Sequence, residues 1–83
     1  MIQAAYTYTT FLDKAPCPTL IIKGNIPRDF NSLCLASGVP LAFDYNPRDK
    51  APYAIYLVKD REDAKQKVGE LKERLKSNIL FGI

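Results

Sequence analysis

Two cysteines, Cys17 and Cys34, and nine carboxylates are the side chains best equipped for chemistry in this chain, and there is no histidine to serve any of them. A cysteine nucleophile needs a partner to hold it as thiolate, and Cys17 sits between Pro16 and Pro18 with no histidine available to activate it. Neither a CxxC nor a histidine accompanies the thiols, so zinc and dithiol redox chemistry lack their ligands. Asp13, Asp29, Asp44 and Asp49 show no spacing that would pair two carboxylates at one centre. The glycines Gly24, Gly38, Gly69 and Gly82 are too scattered for a phosphate-cradling loop. The expectation is a protein with no catalytic residue, no metal and no cofactor.

Binding chemistry is better represented. Tyr6, Tyr8 and Tyr56 fall on segments of strand character, and a ring on an open sheet can contact a partner protein or stack on a base. The segment 79–83, Ile-Leu-Phe-Gly-Ile, is almost wholly apolar and has to dock on its own sheet or on another chain, with Leu80 and Phe81 as the contact residues. The formal net charge is +3, and all of the excess lies late in the chain: residues 1–45 hold three basic and three acidic side chains, residues 46–83 nine and six. Lys59, Arg61 and Lys65 are the cations that would hold phosphates on a nucleic-acid reading. The competing reading is a solvated helix. Asp60, Glu62 and Asp63 come early and Lys72, Arg74 and Lys76 late, as the helix dipole favours, and Asp63/Lys67 and Glu70/Arg74 stand at i, i+4 with the acid first.

Elements must position these groups, and 83 residues allow one domain, 1–83. With 47% apolar and 25% charged residues the chain has the composition of a folded protein. Residues 13–23 (Asp-Lys-Ala-Pro-Cys-Pro-Thr-Leu-Ile-Ile-Lys) and 49–59 (Asp-Lys-Ala-Pro-Tyr-Ala-Ile-Tyr-Leu-Val-Lys) match at five of eleven positions with an offset of 36. An internal duplication predicts matching units, 4–38 and 40–78, followed by the tail 79–83. Alternating β-formers predict strands over 4–11, 18–23, 40–45 and 53–59, with the two Asp-Lys-Ala-Pro segments as hairpin loops.

Asn25 and Pro27 before, and Gly38-Val39-Pro40 after, delimit a helix over 26–37. Asp60 as N-cap and the run Ala64, Val68, Leu71, Leu75, Ile79 predict a second over 61–78. The expected fold is thus α+β, a duplicated ββα-ββα with a four-stranded antiparallel sheet and both helices on one face. A pseudo-twofold axis would give strand order 2-1-3-4 or 1-2-4-3; without duplication the order 1-2-3-4 with one parallel pair is the alternative.

In such a sandwich one sheet face stays open, and here both are apolar. Leu20 and Ile22 oppose Ile21, and Ile55 and Leu57 oppose Tyr56 and Val58. The expected function is that of a small non-catalytic binding protein acting through protein contacts of the open face and the apolar tail, self-association included. Nucleic-acid binding through the tyrosines and the basic C-terminal half is the alternative. Residues 1–6 lack the charged and apolar regions of a secretory signal, and no apolar run is long enough to span a bilayer, so a cytoplasmic protein with no membrane contact is expected.

Overall fold

The computed structural model describes residues 1–10, 15–45 and 51–82. Strand β1 (Ile2–Thr9) and strand β2 (Cys17–Gly24) form a long antiparallel hairpin, with Ile2 opposite Gly24 and Thr9 opposite Cys17. Both segments are dense in β-branched and aromatic side chains, and Pro18 is confined to the strand's first positions, where a missing donor is tolerated. Asp13, Lys14, Asp49 and Lys50, the first halves of the two expected hairpin loops, lie outside the described residues.

The expected helix over 26–37 does not form. In its place stands a single 3₁₀ turn, Phe30–Leu33, followed by a bridge between Leu35 and Gly38. Asp29 fixes where the turn starts: its backbone is extended (φ −70°, ψ 106°) and it serves as N-cap, one carboxylate oxygen accepting from the Asn31 amide at 3.0 Å and the other from the Ser32 hydroxyl at 3.2 Å, so no helix begins at 26. The apolar residues agree, because Leu33 and Leu35 are both buried two positions apart, a spacing that no helix face provides.

Short strand β3 (Ala42–Asp44) pairs antiparallel with β4 (Tyr53–Leu57), which crosses to β2. Helix α1 (Arg61–Leu75) follows. Asp60 caps it by accepting from the Asp63 amide at 2.9 Å, and the Asp63 carboxylate reaches back to the Lys59 amide, also 2.9 Å, a one-residue variant of the capping box. The helix ends three residues earlier than its apolar spacing predicts. Lys76 takes a left-handed conformation (φ 51°), and the Ser77 amide donates to the Lys72 carbonyl, closing a Schellman-type cap. That early stop frees Ile79–Gly82 to become β5, an edge strand parallel to β1 with Ile2 opposite Ile79.

Among the described residues the sheet is therefore five-stranded and mixed, in the order β3-β4-β2-β1-β5, with one α-helix, and the duplicated ββα-ββα architecture is incorrect. The pairing registers give the reason. A faithful repeat would carry the pair Tyr8·Pro18 onto Asp44·Ala54, whereas Asp44 faces Tyr53. A one-residue slip exchanges the faces of a strand, so the second hairpin cannot be a copy of the first despite the shared residues.

The core lies on one side of the sheet. Ile2, Ala4, Leu20, Ile22, Ala54 and Tyr56 point into it from the strands, Ala64, Val68 and Leu71 from α1, and Ile26 and Leu33 from the connecting segment. Leu71 and Leu20 are fully buried, each contributing about 1.5–3 kcal/mol of apolar burial. Gly24 (φ 120°) sits where a Cβ would collide with the Met1 carbonyl oxygen, so glycine is needed to close the chain around the start of β1. Gly69, in contrast, faces open space on the helix surface and marks no close approach.

Candidate functional surface

Strand alternation assigns each sheet residue to one face, and α1 and the 30–38 segment cover only the face carrying Leu20, Ile22 and Tyr56. The open face presents two aligned cross-strand rows. One runs Ala42, Ile55, Ile21, Ala5, Gly82, and the next runs Asp44, Tyr53, Lys23, Gln3, Leu80. Leu57 extends the apolar row on β4 and is half exposed. Beyond it the surface turns to hydroxyls. Thr9 and Thr19 are hydrogen-bonded at 2.9 Å, and Thr19 donates to the Thr7 carbonyl at 3.3 Å, which lets a fully buried threonine sit beside apolar neighbours. A shallow hollow of about 430 Å³ opens where Gln3, Ala5, Ile21, Lys23 and Leu80 meet.

The residues singled out from sequence are distributed unevenly over this frame. Tyr6, Tyr8 and Tyr56 all lie on the helix side of the sheet, not on the open face. Tyr56 is 1% exposed and its hydroxyl donates to the Leu33 carbonyl at 2.6 Å, so its ring is core and offers no stacking surface. Burial pushes its phenol pKa well above the usual range. Tyr6 and Tyr8 meet edge to face at 5.9 Å beside the start of α1. A hydrogen bond with Tyr8 raises the Tyr6 pKa, and Asp60 adds to the shift.

Arg61 and Lys65 come together with Phe81 and Gly82 around a second hollow of about 600 Å³ between α1 and β5, where, among the described residues, Glu62 is the one carboxylate. Leu80, next along β5, turns to the open face and is half exposed. Lys59 is separated from Arg61 and Lys65. It lines a hollow on the opposite flank of α1 with Ser37, Asp63 and Lys67.

That opposite flank is built from the two expected ion pairs. Lys67, buried although charged, donates to both Asp63 oxygens at 3.1 Å, and Arg74 donates to Glu70 at 3.1 Å. Glu70 also accepts from the Ala36 amide at 2.7 Å, tying the helix to the 3₁₀ segment. The Lys59 amide lowers the Asp63 pKa, and the Ala36 amide lowers that of Glu70.

Sequence reasoning left the open face unassigned and missed the row Ile55, Ile21, Ala5, because alternation alone does not say which side a helix covers. It placed Lys72 among the late cations that suit the helix dipole, although Lys72 also repeats at helical spacing from Arg61 and Lys65. Among the described residues no cluster of three or more His, Cys, Asp or Glu side chains could hold a metal, and no helix is long and apolar enough to cross a membrane. Comparison with known proteins finds no matching family, no matching curated protein and no matching solved structure.

Proposed function

We propose that this is a small non-catalytic binding protein that works through protein contacts made by the open sheet face and by β5, a second copy being one occupant of the face. The observation that carries this reading is the apolar row of Ile21, Ile55 and Leu57, continued toward β5 by Leu80, which no helix among the described residues covers, on a sheet whose other face packs against α1 and the 30–38 segment. A domain of this size buries a modest share of its surface alone, and a partner on the open face adds to it. The free thiols Cys17 and Cys34 suit a cytoplasmic setting.

The test is capture from native extract and light scattering, each run on wild type and on an Ile55→Glu/Leu57→Glu variant whose circular dichroism matches wild type. The expected result is a captured polypeptide, or a mass above the monomer, that survives nuclease and about 200 mM salt and is lost in the variant. Capture that nuclease abolishes, that falls by orders of magnitude between about 50 and 200 mM salt, and that ignores the two substitutions would overturn it in favour of nucleic acid.

A further inference from the structure

We propose that the outer edge of β5 takes an acidic extended peptide segment as a sixth strand, with acidic side chains toward α1 and apolar ones toward the open face. This rests on the reading of β5 as a protein-contact surface and names the chemistry of its partner.

Four observations lead there. First, β5 ends the sheet, and among the described residues its one strand neighbour is β1, so a row of backbone donors and acceptors points outward. Exposed edges are usually blunted by short length, charge or proline; Ile79–Gly82 is short at four residues but has neither charge nor proline, whereas the opposite edge, β3, is three residues long and carries Asp44. Second, the helix flank above this edge is basic. Arg61 and Lys65 line the hollow with Phe81, and Lys72 falls within about 40° of them at the α-helical rotation.

Third, the acids are mostly directed elsewhere. Asp63 and Glu70 are engaged on the far flank by Lys67, Arg74 and the Lys59 and Ala36 amides. Among the described residues only Glu62 faces the hollow, at 3.6 Å from Lys65. Fourth, β5 itself alternates. Phe81 lies on the helix side, while Leu80 lies on the open side next to the hollow of Ala5 and Ile21. An added strand alternates in the same way, meeting cations with one set of side chains and Leu80 with the other. A second copy of β5 is a poor occupant, because edge-to-edge pairing would set two basic flanks against each other. Nucleic acid would answer the cations but leave the backbone edge unused.

The probe is a fluorescent ten-residue peptide of alternating Glu and Val, titrated by anisotropy onto the full chain, with amide shifts followed by NMR. Saturable binding is expected, with shifts centred on 79–82. Replacing Glu by Gln in the peptide, or Arg61, Lys65 and Lys72 together by Ser in the protein, should each weaken it at least tenfold. Two further peptides, N-methylated on alternate residues in the two possible registers, should differ: one loses binding, the other keeps it. Equal binding by both, tighter binding of a ten-nucleotide oligothymidine, or no saturation at millimolar peptide would each overturn the proposal. The Ile55→Glu/Leu57→Glu variant separates the two readings. Open-face capture without peptide binding removes only the added strand, and peptide binding without capture removes only the open face.

Discussion

Replacing Tyr56 by Phe isolates the bond that holds the 3₁₀ segment to the sheet. The ring is 1% exposed and stays in place, so no cavity opens; what is lost is the hydroxyl that donates to the Leu33 carbonyl at 2.6 Å. That carbonyl is left without its donor in an apolar setting, at a cost of about 1–3 kcal/mol. Against the roughly 4–12 kcal/mol expected for a domain of this length, a loss near 2 kcal/mol is large and lowers the melting temperature by about 10 °C. Native-state hydrogen exchange should localise part of the effect. The Cys34, Leu35 and Gly38 amides, bonded within the segment at 2.9 to 3.2 Å, should lose protection before those of β2.

Alkaline pH supplies an independent check. Because the folded Tyr56 phenol titrates above its ordinary value of about 10, the unfolded chain releases that proton first as pH rises, so wild type loses stability above pH 10. The Phe variant lacks this loss, and the gap between the two should narrow between about pH 10 and 11. A variant melting within about 2 °C of wild type at neutral pH, with unchanged exchange at residues 34 to 38, would refute the assignment of that bond.

Gly69→Ala should raise stability by about 1 kcal/mol, measured by urea midpoint, since the added methyl enters open space on an exposed helix position. Gly24→Ala should cost about 2 kcal/mol or more in the same assay, because φ 120° and the Met1 carbonyl both oppose a side chain. Asp63 and Glu70 have lowered folded pKa values, so the stability they give is present above pH 4 to 5 and is lost as pH falls through the folded values. Urea midpoints at pH 2 to 6 should show that acid limb, flatter in Asp63→Asn.

Where pattern and packing are local, the sequence was legible. The runs of β-formers in β2 and β4 and the 4, 3, 4 spacing of Ala64, Val68, Leu71 and Leu75 place those elements to within a few residues of where they stand. The helix over 26–37 failed although Ile26, Phe30 and Leu33 follow a helical period, because Asp29 caps a turn that begins only at Phe30 and Leu35 is buried on the side of a helix opposite Ile26 and Leu33. The shared Asp-Lys-Ala-Pro segments gave no information about register, which the second hairpin sets one residue out of step. β5 was invisible as a strand because its partner, β1, lies at the other end of the described chain. For the same reason Arg61 and Lys65, noted for their charge, and Leu80 and Phe81, noted for their apolarity, could not be recognised as one surface before β5 was paired.

The parallel pairing of β1 and β5 also sets an order of events. Ile2 meets Ile79, a contact spanning 77 residues, so its loop-closure cost is among the largest in the fold, and long-range parallel pairing is intrinsically slow. On a ribosome adding about 5–20 residues per second, β1 would wait roughly 4–15 s with one edge unoccupied while the rest of the sheet is made. During that interval the exposed edge is the long strand β1, with its run of β-formers, not the short β5 that finally covers it. Nascent or thermally opened chains lacking β5 should therefore be the aggregation-prone species, and β5 acts as the cover that ends that vulnerability.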